Sequence, residues 1–277
     1  MVVFGPVPSR RLGRSLGINN IPPKICSYSC VYCQIGRTNR MQIERCGFYK
    51  PAVITNASLL WMDEVKKDLM KADWVSLKID AADKDTWRRV DRPHGYLNID
   101  KIMTGTIDFA KSFKGILVTE TMLVSGYNDK KECIDGIGKY LGKLKPSKAY
   151  LLVPTRPPAE SCVQRPSTQE LKEAFNTIRN LAHVEVECIT GDEGESFFFT
   201  DDIINDLLSI ISVHPVREDV IDKLLKDRNL DRTIINNLIQ QNIIEEFMYE
   251  NKKFFIRKSG ERSTGNETNS AKSSSST

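Results

Sequence analysis

The chain reads as an α/β, barrel-like fold followed by a small, mainly helical module. From residue 52 to residue 189, short runs rich in β-branched and aromatic residues alternate with longer stretches whose apolar residues recur every three or four positions. That alternation implies a parallel sheet with right-handed crossover helices. Beyond residue 199 three helical periods follow one another and end in a hairpin. The length, 277 residues with 40% apolar and 27% charged, suits one large domain and one small one.

Residues 52–55, 74–79, 116–124, 149–153 and 184–189 read as strands, and Leu16-Gly-Ile18 is a candidate first strand ahead of them. Between them lie the one-faced apolar sets Val65/Leu69/Ala72, Ile99/Ile102/Met103/Ala110/Phe113, Ile134/Ile137/Leu141/Leu144 and Leu171/Ala174/Phe175/Ile178/Leu181. Pro146 stops one helix, and Pro166-Ser167-Thr168 starts another. In the module, helices over 201–213, 217–228 and 231–242 precede strands 243–249 and 253–257 joined across 250–252. The expected division is 1–198, 199–258 and a Ser/Thr/Asn/Gly-rich disordered tail over 259–277.

The densest chemistry is Cys26-Ser-Tyr-Ser-Cys30-Val-Tyr-Cys33. Spacings of three and two let one loop wrap three thiolates around a metal centre, and soft thiolates select zinc or iron–sulfur clusters. A zinc site or a four-cysteine cluster that recruits Cys46 is the competing reading, although zinc sites more often pair two knuckles. Seven cysteines are an odd count, and the N-terminus shows no apolar signal segment, so a disulfide framework is not expected. Cys133, Cys162 and Cys188 read as small buried apolar residues.

No apolar run approaches a membrane span, and the expected location is cytoplasmic. A net charge of +4 is too small to identify a nucleic-acid partner. Thr55-Asn56, Lys78/Asp80, Ser125 to Asp129 and Pro154 to Pro158 fall at strand ends, where a parallel fold gathers its working residues. Each is also ordinary turn chemistry. Arg10, Arg11 and Arg14 suit a phosphate or a solvated surface equally, and His94 reads as a loop or cap histidine. The residues show no phosphate-binding Gly-Lys loop, dinucleotide glycine fingerprint or Ser/His/Asp arrangement.

With Tyr32 before the last cysteine, the cysteine loop resembles that of the radical S-adenosylmethionine (SAM) superfamily. The segment from Gly5-Pro-Val-Pro-Ser-Arg-Arg-Leu-Gly to Gln34-Ile-Gly-Arg-Thr38 is similar to a group related to the tRNA wyosine-synthesis enzymes. Val53-Ile-Thr-Asn56, Ser76-Leu-Lys-Ile-Asp80, Arg92-Pro-His94 and Pro154-Thr-Arg-Pro-Pro-Ala-Glu160 extend the likeness, which covers about residues 4–190. The resemblance implies a 4Fe-4S cluster on Cys26, Cys30 and Cys33, with SAM chelated at the open iron. Tyr32 would lie against the adenine, and Ser76, Lys78 and Asp80 would sit on the strand that touches SAM. It further implies a reductant for the cluster and cleavage of SAM to a 5′-deoxyadenosyl radical, acting on a substrate for which RNA is one candidate.

One departure stands out. The family runs through a helix, a strand ending in a Gly-Glu-Pro-like motif and a second helix before the strand at 52–55. Here Cys46-Gly-Phe-Tyr-Lys-Pro51 joins that strand directly, leaving a partial barrel with a segment missing between Pro51 and Ala52. The alternative reading is a non-catalytic, cluster-bearing regulator or a degenerate member of the group. The C-terminal module resembles a winged helix, whose third helix would expose Arg232, Thr233, Asn236, Asn237 and Gln240 to protein or nucleic acid.

Overall fold

The computed structural model describes residues 3–9, 13–18, 25–34, 38, 40–41, 52–190, 203–213 and 215–258. A hairpin of β1 (Val3–Ser9) and β2 (Gly13–Ile18) comes first, paired antiparallel with Val3 opposite Ile18. Leu16-Gly-Ile18 is therefore a strand, but of this hairpin and not of the main sheet. The physical reason is local: a hairpin closes over a few residues, whereas a parallel neighbour needs a long crossover. β3 (Ile25–Cys26) and β4 (Arg40–Met41) form a separate short parallel pair.

The main body runs β5 (Ala52–Thr55), α1 (Asp63–Leu69), β6 (Trp74–Lys78), α2 (Lys84–Val90), α3 (Ile99–Ser112), β7 (Ile116–Met122), α4 (Lys131–Leu144), β8 (Lys148–Leu152), α5 (Thr168–Ala182) and β9 (Val186–Ile189). Its five strands are all parallel and stand in chain order, β5-β6-β7-β8-β9. Strands added in one direction, without a reversal, give a singly wound arc, in contrast to the doubly wound sheet. The protein is thus α/β with an open parallel sheet. On the edge strand β5, Ile54 is 53% exposed.

Val75, Leu77 and Leu151 from the sheet share one core with Phe109 of α3, Ile137 and Leu141 of α4 and Ile178 of α5. The helices start and stop where their residues dictate. Asp83 and Asn98 cap α2 and α3 by accepting from Thr86 N and Lys101 N, and Ser167 with Glu170 forms a capping box on α5. Lys145 closes α4 in the left-handed conformation just before Pro146. α2 has no counterpart in the periodicity analysis, because it is seven residues long and buries only Thr86, Trp87 and Val90.

The C-terminal module comprises α6 (Ile203–Val213), β10 (Val216–Arg217), α7 (Glu218–Asp227), α8 (Thr233–Gln240), β11 (Ile244–Tyr249) and β12 (Lys252–Arg257). Leu207, Ile210, Ile221, Leu224, Ile235, Ile244 and Phe255 form its own core. The expected hairpin gains a third strand, giving the order β10-β12-β11, since two residues are too few to show a period. Glu250 and Asn251, at φ 47° and 59°, make the two-residue turn of the hairpin. Arg165 joins the two bodies, donating to Thr190 O and pairing with Glu250, both at 2.8 Å.

Cys133 is buried as expected, but Cys162 is exposed and Cys188 half-buried. Cys162 belongs to the irregular segment after β8, where no period indicates a face. Among the described residues no helix is long and apolar enough to cross a membrane. The boundary at 199, the tail 259–277, Cys46, Arg10 and Arg11 lie outside the described residues, as does the side chain of Arg14.

Candidate functional site

The cysteine loop sits at the C-terminal ends of β5 and β6. Asn56, leaving β5, donates to Ser27 Oγ at 2.8 Å, and Ser27 Oγ meets Ser58 Oγ at 2.7 Å. The end of α2 lines the other side: Ser29 N donates to Asp91 O, Val31 N to Val90 O and His94 N to Ser27 O, each at 3.0 Å. Tyr28 is buried edge-on against Trp87, whose Nε1 donates to the Tyr28 hydroxyl at 3.2 Å. His94 thus serves the turn, and its Nδ1 accepts from Tyr96 N, as a cap histidine does.

Cys26, Cys30 and Cys33 take part in no disulfide. Cys26 Sγ accepts from Tyr28 N at 3.4 Å and lies 3.7 Å from Asn56 Nδ2. Cys30 Sγ faces Asp91 Oδ1 at 3.5 Å. Behind them, Tyr32 donates to Asp80 Oδ2, and Lys78 Nζ lies 4.8 Å from the Tyr32 ring centre and 3.7 Å from Asp80 Oδ1. Asp80 also accepts from Met122 N at 2.6 Å, while Asn128 braces the Asp80 and Met122 carbonyls. One pair deeper in the sheet, Ser76 donates to Glu120 at 2.7 Å. Tyr32, Lys78 and Asp80 come together, and Ser76 stays below them.

Three carboxyl groups, Asp80, Glu120 and Asp91, act electrostatically on the ammonium of Lys78. Burial alone would push the Lys78 pKa down, but Asp80 and Glu120 outweigh it and the value is raised. Asp91 is held well above the usual carboxylate range by burial and then by Asp80. Burial, Asp91 and Asp80 likewise raise the Cys30 thiol, and burial with Asp80 raises the Tyr32 phenol. A thiolate at Cys30 is therefore disfavoured unless positive charge arrives with it. That is the electrostatic demand a bound iron centre meets.

The donor set suits an iron–sulfur centre: three soft sulfur ligands on one loop, none in a disulfide, in an acidic setting that favours a cation. Among the described residues no three or more Cys, His, Asp or Glu gather tightly enough to hold a single metal ion. A four-iron cube spreads its corner ligands more widely than one ion does. SAM is a different case. The cavity beneath the loop, bounded by Tyr28, Asn56, Lys78, Asp80, Asp91 and Tyr140, measures about 20 Å³. That admits a water molecule, so SAM would have to bind outside this cavity, against the loop itself.

Sequence reasoning passed over Tyr28, Trp87, Asp91 and Glu120. The one available signal was position: Trp87-Arg-Arg-Val-Asp91 runs directly into Arg92-Pro-His94. Besides Asn56 after β5 and Asp80 after β6, the strand-end loop after β8 reaches the cysteine loop, through Arg156 to the Gln34 side chain and Glu160 N to Val31 O.

No protein-family profile matches the chain. It is 36% identical to a UPF0026 protein of Methanocaldococcus jannaschii over 309 positions, covering 92% of this chain and 96% of that protein. Those positions outnumber the 277 residues here, so that relative carries stretches with no counterpart in this chain. A GTPase Obg of Brachyspira hyodysenteriae is 30% identical over 234 positions, 67% of this chain and 34% of that protein. Among solved structures, a radical SAM methyltransferase from Sphaerobacter thermophilus aligns with TM-score 0.44 at 14% identity, over 50% of this chain and 40% of that one. Streptococcus suis SuiB bound to S-adenosylmethionine aligns with TM-score 0.42 at 9% identity, over 62% and 51%.

Proposed function

The chain belongs to the UPF0026 family, and from its cysteine loop we propose a 4Fe-4S protein of the radical SAM type. Cys26, Cys30 and Cys33 would hold the cluster, and SAM would be its co-substrate. One observation carries the reading: three cysteines outside any disulfide, spaced three and two apart, are fixed at the C-terminal edge of a parallel sheet. When bound, such a cluster supplies the electron that splits the sulfonium carbon–sulfur bond of SAM. The chain's own part is positional. Tyr32 offers a ring at the loop's end, and Asp80 and Lys78 offer a carboxylate and an ammonium beside it. The burial of Tyr28, Trp87 and Ile102 screens the loop from bulk solvent below. Anaerobically reconstituted, reduced protein should convert SAM to 5′-deoxyadenosine, and the Cys30→Ala variant should not. A cluster-loaded wild type that leaves SAM intact would reject this reading.

A second reading, a cluster-bearing protein without SAM chemistry, is favoured by the closed contact of Tyr32, Lys78 and Asp80 over a cavity of about 20 Å³. The C-terminal module supports a signalling role for such a protein. Its helix order and its β10-β12-β11 sheet support a winged-helix reading of the module. On α8, Thr233, Asn236, Asn237 and Gln240 are exposed, but Arg232 is held by Glu218 and Asp222. Lys253 is likewise paired with Glu218 and Glu246, while Phe247 and Met248 are 42% and 60% exposed on the hairpin. These pairings favour protein contact over nucleic acid. No binding to RNA or DNA at low salt is the expected result, and salt-sensitive binding would reverse it.

A further inference from the structure

The cysteine loop is gripped between two segments far apart in the chain. From one side the turn after α2 supplies the carbonyls of Val90 and Asp91 to the amides of Val31 and Ser29, each at 3.0 Å. From the other side Glu160, in the loop after β8, donates its amide to Val31 O at 3.2 Å. An ion pair joins the two sides: Arg92 Nη1 to Glu160 Oε1 at 2.5 Å, with Glu160 only 9% exposed.

Arg92 adopts φ 45°, in the left-handed region that non-glycine residues seldom occupy. Pro93 follows it, and a proline narrows the choices of the residue before it still further. Such a conformation persists only where the surroundings over-determine it, and it clusters at functional sites. Glycine would accept this φ freely; arginine brings a guanidinium that reaches across to Glu160.

Resting on the cluster reading, we infer that the Arg92–Glu160 pair is a clasp that positions the cysteine loop for its metal centre. It draws the α2 turn and the β8 loop together with residues 27–31 between them. Arg92 and Glu160 are positioning residues, acting through the main chain of Ser29 and Val31. Arg156, donating to Gln34, anchors the far end of the same loop.

The test uses the full chain without cluster, in wild-type form and as Glu160→Gln, Arg92→Ala, Arg92→Lys and Arg92→Gly. Residue-resolved hydrogen exchange at the Ser29 and Val31 amides should be at least tenfold faster in Glu160→Gln and Arg92→Ala, with Arg92→Lys between them and wild type. Arg92→Gly relieves the strained φ but lacks the charge, so the clasp predicts exchange as fast as in Arg92→Ala. Anaerobic reconstitution should then load the fast-exchanging variants with half the wild-type iron or less, and broaden the electron paramagnetic resonance signal of the reduced cluster. Glu160→Gln is isosteric, so it keeps the test valid if an Arg92 variant fails to fold. Wild-type exchange rates at both amides in every folded variant would overturn the clasp. Faster exchange in the variants together with no iron uptake by wild type would overturn the cluster reading while upholding the clasp.

Discussion

Leu77 and Asp80 stand three residues apart where β6 leaves the sheet, and they are 0% and 2% exposed. Leu77 is one of a continuous apolar set with Val75, Ile137, Leu141 and Leu151. Asp80 is as deeply buried, yet it accepts from Tyr32 and Met122 N, pairs with Lys78 and lies near a second carboxyl, Asp91. Equal burial therefore serves two purposes, one within β6 and one just past its C-terminal end. The sheet interior gains from excluding water, whereas its C-terminal edge carries a concentration of acid that a stability-driven core would not tolerate. Such a departure from stability marks the edge as the working part of the molecule.

The sharpest contrast should come from Leu141→Ala, which cuts a side chain with 0% exposure out of the interior. It should lower unfolding free energy by about 2–5 kcal/mol in denaturant titration. Iron uptake per folded chain should not change. One residue pair below the edge, Ser76→Ala removes the hydroxyl that bonds Glu120 at 2.7 Å. The expected cost is about 1–3 kcal/mol. Because Glu120 adjoins Lys78 electrostatically, weaker SAM binding by calorimetry should accompany it. A Ser76→Ala protein as stable as wild type would erase the distinction between the two regions.

Tyr140 tests the boundary between them, since it stands on the buried face of α4 and its hydroxyl reaches Thr106 and Met103 O. Burial pushes its phenol from 10.0 up to about 12. Folding therefore favours the neutral form. The associated stability is whole below pH 10 and is lost as pH rises through 12. Wild type should lose about 1.4 kcal/mol from this source by about pH 11, a loss absent from Tyr140→Phe when the two are compared by denaturant midpoint across pH 9–12. Smallest of all, Ser167→Ala breaks the capping box of α5, remote from the edge. It should cost about 1 kcal/mol and leave cluster loading untouched.

The same two regions differ in how far the residues announced them. Repeating apolar spacings located α3, α4 and α5, and β5 falls on residues 52–55 as read, because burial along a regular element leaves a period. The three cysteines were legible because ligand spacing within one loop is local. Asn56 and Asp80 were reached through their strand-end positions, but the loop's pairing with Asp91 and the Arg92–Glu160 pair were not. Asp91 lies 61 residues from Cys30 and Glu160 lies 68 from Arg92, and no periodic signal links positions so far apart. Leu16-Gly-Ile18 went to the wrong sheet because its strand character says nothing about which neighbour it pairs with. Exposed Cys162 lies in an irregular segment where composition alone cannot assign a face.

The account rests on the three thiols as one metal centre. Iron and acid-labile sulfide should be quantified after anaerobic reconstitution of wild type and of single alanine variants at Cys26, Cys30, Cys33 and Cys162. Wild type and Cys162→Ala should carry about four irons with matching sulfide and a shared visible chromophore, and each of the other three should lose it. A chromophore that survives Cys30→Ala, or tetrahedral zinc with Cys46 among its ligands by X-ray absorption, would contradict the assignment.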